Sequence, residues 1–346
     1  MRQTKGRAAL RGSKKSFEAG MQSPTRSQRL ISDGGRASRG WLTSGPQGGT
    51  IAAVQSFIHT RTRDLSSPVH APEPEELDAL LRLLDDDTPV VRQRVTERLQ
   101  LYGGDLSDWL ASRPRALNPA DRNLLAELLQ PARRVALERD WQVPTGGAAA
   151  MGDDWDALEA MLRVISDFLH DGTSIRQPLS DALDLLAEEA EAAGVGCANE
   201  LRAFLFEEHR FVGNEAEYHD PRNSDLAWSI AEGRSNPLGL SLIFLLLGRR
   251  LEFVVEAVNF PGHFLCRIYE DGYPIIVDCF SRGQLHLQAT LLEDPEIGRQ
   301  ERALLRHSAD PGSVLLRLLN NLIESLSQAS RHDDARLIRK LRASMQ

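Results

Sequence analysis

An imidazole held against a carboxylate forms the base half of a nucleophilic site, and the sequence offers one such pair in adjacent segments. His263 stands in Pro261-Gly262-His263-Phe264, and Asp278 ends Ile275-Ile276-Val277-Asp278. Whether they meet depends on strand register. Asp271-Gly272 reads as a two-residue hairpin turn between two runs with strand periodicity. If these two residues form the loop, Glu270 pairs with Tyr273 and Leu265 faces Asp278. His263 then shares their sheet face, diagonal to Asp278 at about 7 to 8 Å between backbone positions, within reach of an imidazole and a carboxylate. The same register turns Cys266 and Cys279 to the opposite face, whereas a three-residue loop would reverse the parity.

Other chemistries find less support. The three cysteines, Cys197, Cys266 and Cys279, are an odd number without CxxC spacing, which fits a reducing cytoplasm and argues against a zinc ribbon or disulfide framework. His209, His219, His286 and His307 show no HxxxH or HxH spacing, so neither a metal site nor a cofactor is expected. The 346 residues carry 41 Lys and Arg against 49 Asp and Glu, a net charge of −8, unevenly spread. Residues 1–70 hold 12 basic and 3 acidic residues, leaving 29 against 46 for the rest. A body that acidic argues against a duplex nucleic-acid surface, whose phosphates are met mainly by Lys and Arg. The longest apolar run, Pro237 to Gly248, is far short of the roughly 20 residues that span a bilayer, so no membrane association is expected.

The elements that would position the pair follow from periodicity. Residues 1–72, basic and rich in Gly, Ser, Arg, Thr and Gln, are expected to be a disordered tail, or an over-long start with Met21 or a later codon as the true one. Residues 73–141 turn helical. Leu77, Leu80, Leu81 and Leu84 share a face, Asp85 to Pro89 breaks the helix, and Val91, Val95 and Leu99 resume it before Gly103-Gly104. This unit resembles one HEAT-type repeat, with a poorer helical unit over Asn118 to Arg139. Residues 142–153, with Pro144, Gly146 and Gly147, read as a linker.

Residues 154–295 form the expected core. Helices are predicted over Asp154 to His170, Leu179 to Ala193 and Ala198 to Glu208, and a short one capped by Asn223 or Ser224 and ended by Gly233. Asn236-Pro237 is an N-cap followed by proline at the first helical position. The helix it opens, Pro237 to Arg250, is apolar on nearly every side and belongs inside a core. Strands follow over Phe253 to Phe260, His263 to Tyr269 and Ile275 to Phe280.

Phe211-Val212-Gly213-Asn214, Asp220-Pro221-Arg222-Asn223-Ser224, Asn236-Pro237, Pro261-Gly262-His263-Phe264 and Asp278 with Phe280 together resemble the SirB-type branch of the transglutaminase-like superfamily, over roughly residues 154–287. The resemblance implies an α+β fold, a buried central helix against an antiparallel sheet, with flanking helical segments. Asn214, Asp220, Asn223, Asn236, Pro237 and Gly262 would shape its cleft. Residues 296–346, with Leu316 to Leu322, a break near His332, and then Ala335, Ile338 and Leu341, resemble the tetratricopeptide-like helices that often follow the core in that branch.

The resemblance also implies a mechanism that this chain departs from. In catalytic members a Cys at the N-terminus of the central helix is the nucleophile, a strand His its base, and an Asp on the next strand orients the His. Pro237 stands at the nucleophile's position here. Gly239 stands where Ser or Thr is usual, Ser235 where Gly is usual, and Cys279 where Pro is usual. Ser241, about one helical turn beyond Pro237, is a substitute nucleophile whose hydroxyl could equally bond back to a carbonyl. His263 and Asp278 are thus two thirds of a triad, vestigial or awaiting another nucleophile. The expected function is a non-catalytic module binding a protein or peptide, with a hydrolase or acyl transferase using His263 and Asp278 as the alternative. A weaker third reading is a regulator acting through the acidic helical surface.

Overall fold

The structure, a computed structural model, describes residues 74–346, and the expectations for residues 1–72 and Met21 lie outside them. Four helices come first: α1 (Pro74–Leu81), α2 (Pro89–Gln100), α3 (Ser107–Ser112) and α4 (Pro119–Asp140). At the aspartate-rich break the Thr88 amide donates to Asp86, and Pro89, whose missing N–H costs nothing at a helix start, opens α2. Leu77, Leu84, Val95, Leu99, Leu125 and Leu129 close a small core among these helices. The poorer helical unit of the sequence is the longest helix described, 22 residues with Pro131 inside it.

The segment read as a linker is instead seated in the fold. Ala148–Met151 form a 3-10 turn with Ala148 and Met151 buried, and the Ala148 amide donates to the Met345 carbonyl at 2.8 Å. Small apolar residues that look like spacer composition are the ones that fit a tight contact between helices.

Next come α5 (Trp155–Leu169), capped by Asp154, then α6 (Leu179–Ala192) and α7 (Ala198–Arg202), which runs into a π turn over Ala203–Glu207. Two short parallel strands, β1 (Val212–Gly213) and β2 (Arg234–Ser235), bracket a 3-10 turn, Pro221–Ser224, and α8 (Leu226–Glu232). The cap of α8 is Asp225, which accepts from the Trp228 amide, not Asn223 or Ser224; those two lie inside the turn that Asp220 caps. Then α9 (Pro237–Arg250) begins as its sequence requires, with Asn236 accepting from the Gly239 amide at 2.9 Å. Every residue from Pro237 to Gly248 is buried.

Against α9 lies an antiparallel sheet in chain order: β3 (Glu256–Val258), β4 (Leu265–Glu270), β5 (Tyr273–Asp278) and β6 (Gln284–Leu287). Only three residues of the expected Phe253 to Phe260 strand are paired, and His263 lies in the turn before β4 rather than in a strand. The strand β6 was not anticipated. Ala257, Cys266, Ile268, Ile275 and Val277 pack toward α9. Val258, Leu265 and Ile276 on the other face meet Leu291 of α10 (Gln288–Glu293), Ile297, and Leu305 of α11 (Arg299–Arg306). A boundary between residues 295 and 296 would cut through that second cluster. The last helices, α12 (Pro311–Gln328) and α13 (His332–Ser344), bury Leu315, Leu319, Leu322 and Ile338 in the α9 core. The architecture is α+β, and no helix among the described residues is long and apolar enough to cross a membrane.

Candidate functional site

The β4–β5 hairpin sets the site. Asp271 and Gly272 both take positive φ, 49° and 80°, as a two-residue primed turn requires, and Glu270 pairs with Tyr273 and Cys266 with Val277. Asp278 therefore ends β5 beside the start of β4. The turn through Gly262, at φ 75°, delivers His263 to the same place. His263 Nε2 lies 2.6 Å from Asp278 Oδ1, and both side chains are buried, at 7% and 2% exposure.

Asp278 Oδ1 also accepts from the amides of Phe280 (3.1 Å) and Ser281 (3.0 Å). Burial alone would push this carboxyl up, but the hydrogen bonds and charge of His263, with the Ser281 amide, hold it below the ordinary carboxylate range. On the same sheet face, His286 is buried with no hydrogen bond to Nε2 among the described residues. Burial lowers its pKa, opposed by the charge of Asp278 and reinforced by that of His263.

An aromatic wall flanks the pair. The His263 ring meets Phe280 edge to face at 6.1 Å, and Phe280 meets Tyr218 in the same way at 5.8 Å. Gly213 passes so close beneath Phe280 that a Cβ would sit 2.7 Å from the ring. Behind this wall the predicted cleft residues act as a scaffold. Asn214 Nδ2 donates to Asn223 Oδ1 at 2.9 Å, and Asn223 Nδ2 donates to the carbonyls of Glu217 and Tyr218. Asp220 holds the Arg222 amide, and Pro237 is buried at the first turn of α9.

Ser241 and the two core cysteines make no hydrogen bond to the pair. The Ser241 hydroxyl is fully buried and donates to the Phe264 carbonyl at 3.4 Å, and the Cys266 thiol donates to the Ser241 carbonyl at 3.6 Å. Burial, with Cys266 beside it, pushes the Cys279 thiol well above its ordinary range. These groups lie on the helix side of the sheet, opposite His263. Cys197 is exposed.

Gly239 and Ser235 face each other at the start of α9. A Cβ on Gly239 would land on Ser235 Oγ, which donates to the Asn223 carbonyl at 2.9 Å and accepts from Ser229 Oγ at 3.0 Å. The Ser235 hydroxyl, supplied from β2, fills the space beside Gly239. Gly239→Ser alone is therefore expected to cost about 1 to 3 kcal/mol through overpacking, and adding Ser235→Gly should recover part of it, the Asn223 carbonyl still lying 2.9 Å from the new Cβ. Urea denaturation of both single variants and the double variant measures this; additive losses would contradict it.

Sequence reasoning missed Arg317. Its Nη1 donates to Asn259 Oδ1 at 2.8 Å and to the Phe260 carbonyl at 3.3 Å, and that same carbonyl accepts the backbone amide of His263 at 3.3 Å. Burial lowers its pKa, with Tyr218 opposing. The one signal in the sequence was a lone cation inside Leu315-Leu316-Arg317-Leu318-Leu319. Two surface clefts, of about 470 and 710 Å³, are lined by neither His263 nor Asp278. Among the described residues no group of three or more His, Cys, Asp or Glu is placed to hold a metal ion.

A central helix lies against an antiparallel sheet, His263 in the turn before β4 meets Asp278 at the end of β5, and residues 173–320 are similar to the transglutaminase-like superfamily, whose family model they match. Over 143 residues the chain is 34% identical to a UPF0162 protein of Xylella fastidiosa, covering 39% of this chain and 50% of that protein. It is 30% identical over 112 residues to a UPF0162 protein of Pseudomonas aeruginosa, covering 32% and 41%. It is also 29% identical over 128 residues to F-box only protein 21 of Homo sapiens, covering 34% and 20%. The chain thus spans half or less of the length of these curated relatives. No solved structure matches it.

Proposed function

We propose that this chain is a SirB-type transglutaminase-like protein that binds a protein or peptide partner at the former substrate site without covalent chemistry. Pro237 carries the reading. The first turn of the central helix, where free amides would favour a thiolate and stabilise an oxyanion, offers a ring without a nucleophilic atom. Ser241, Cys266 and Cys279 are buried on the opposite sheet face, and a raised thiol pKa disfavours the reactive thiolate. On this reading His263 and Asp278 are a structural pair. The helices over residues 74–140 and 311–344 are HEAT-like and tetratricopeptide-like units packed on the core, and the protein works in the cytoplasm. The 2.6 Å His263–Asp278 pair favours a second reading, a hydrolase or acyl transferase with a nucleophile brought in by rearrangement.

Site-resolved labelling decides between them. An iodoacetamide-type probe is expected to modify exposed Cys197 equally in wild type and His263→Gln, and a serine-directed probe to leave Ser241 unmodified. Labelling at Cys266, Cys279 or Ser241 that disappears in a well-folded His263→Gln protein would establish an activated nucleophile and overturn the non-catalytic reading.

A further inference from the structure

Not every arginine that leaves solvent in this fold answers an acid. Arg133, buried on α4, gives its donors to the carbonyls of Gly104, Ala126 and Asp171 and to Gln130 Oε1, and so fastens residue 104 to residue 171. A guanidinium used in this way is a clamp, because N–H groups fixed in one plane can hold oxygens from different parts of the chain. Arg317, partly buried on α12, is a second clamp, and it holds the turn that carries His263. The N–H groups of its Nη1 go to Asn259 Oδ1 at 2.8 Å and to the Phe260 carbonyl at 3.3 Å.

That carbonyl is also the acceptor that closes the turn. In Phe260-Pro261-Gly262-His263 the His263 amide donates to the Phe260 oxygen at 3.3 Å, with proline in the second place and Gly262 at φ 75° in the third, the residue pattern of a type II turn. The shape of the turn is therefore encoded locally, but its tilt against the sheet is not. Pro261 and Gly262 are exposed, while the flanking rings are buried, Phe260 in the second cluster and Phe264 in the α9 core. Apolar burial has no preferred direction, whereas a hydrogen bond weakens steeply off axis, so oriented donors are what fix a tilt. Arg317 supplies them from a firm base, since Leu315, Leu318 and Leu319 beside it are buried in the α9 core. From this geometry we infer that Arg317 is the positioning residue of the site: through it α12 sets the tilt of the turn and thereby holds His263 at 2.6 Å from Asp278. The C-terminal helices are then part of the site and not an appendage to it. His263 needs the same placement whether the site binds or reacts, so this role does not depend on the functional reading.

The test uses the full chain, isotope-labelled at histidine. The His263 ring signals, including the Nε2–H proton that its bond to a carboxylate moves downfield, are followed by NMR together with the exchange of that proton with water. Arg317→Met keeps an unbranched stem and removes the donors; it should shift the ring signals and speed the exchange about tenfold or more. Arg317→Lys, which keeps the charge but not the planar donors, should fall between. Leu322→Ala, which opens a cavity elsewhere on the same helix, is the control for stability alone; compared with Arg317→Met at matched stability, it should leave the His263 signals as in wild type.

If Arg317→Met folds and keeps the wild-type His263 signals and exchange rate, the inference is wrong. Equal changes in Arg317→Met and Leu322→Ala would also overturn it, since a general loosening of α12 would then account for both. Should Arg317→Met fail to fold, Asn259→Ala decides, because it removes one acceptor of the clamp and leaves the guanidinium in place. It should speed the same exchange, and His263 signals identical to those of wild type would overturn the inference.

Discussion

Leu245→Asp is expected to leave the chain unable to fold at room temperature. Leu245 is 1% exposed in the middle of α9, a helix that the sheet, α6, α7 and α8 enclose so completely that twelve consecutive residues are buried. No cation among the described residues is paired with it, so a carboxylate there must either stay ionised in an apolar core or take up a proton. The effective penalty is several kcal/mol, comparable with a domain's whole stability of about 5 to 15 kcal/mol. Leu245→Ala, which leaves only a cavity, should cost about 2 to 5 kcal/mol, and Leu245→Met under about 1.5 kcal/mol. Soluble yield and urea denaturation across the series measure the gradient. A Leu245→Asp protein with the wild-type melting curve would show that α9 is not the core.

The limits of that helix were legible because their chemistry is local. Asn236 caps, Pro237 fits the first turn, and a run apolar on all sides has nowhere to go but inside. The hairpin register was legible for a similar reason. Asp271-Gly272 admits the positive φ values of a two-residue turn, and once the turn is fixed every side chain's face follows, down to the meeting of His263 and Asp278. What was not legible depends on distant residues. Asn223, Ser224 and Asp225 are all competent caps by type; Asp225 takes the role because Arg176, far back in the chain, pairs with it at 2.7 Å. The four residues of β6 are too few to show a period, and they pair only because β5 offers an edge. Arg317 reaches the site because α12 folds back across residues some 57 positions earlier. The departures at 235 and 239 were visible one at a time, but that they face each other is spatial.

Asp278→Ala should destabilise the protein by about 3 to 5 kcal/mol, because it strips one buried acceptor from three donors at once: His263 Nε2 and the amides of Phe280 and Ser281. Asp278→Asn keeps an acceptor oxygen and loses the charge, and should cost about 1 to 2 kcal/mol. His263→Gln, retaining an N–H near Asp278, should cost less than His263→Ala, and the Asp278/His263 double variant should be less destabilised than the sum of its singles, since each single leaves the other partner orphaned. Acid titration separates this pair from its neighbour. Asp278 has a folded pKa below its ordinary 3.8, so the folded state binds fewer protons than the unfolded one; its contribution is present above that value and fades as pH falls through the folded pKa. His286 also has a lowered folded pKa, against an ordinary 6.5, so its contribution is complete above about pH 6.5 and begins to fade at higher pH than that of Asp278. Comparing wild type with Asp278→Asn from pH 7 to pH 3 by urea denaturation should therefore show a nearly constant gap down to about pH 4 that narrows below it. A gap that narrowed instead between pH 7 and pH 5 would mean that the stabilising proton equilibrium is not that of Asp278, and that its carboxylate does not hold His263 in the way the 2.6 Å contact implies.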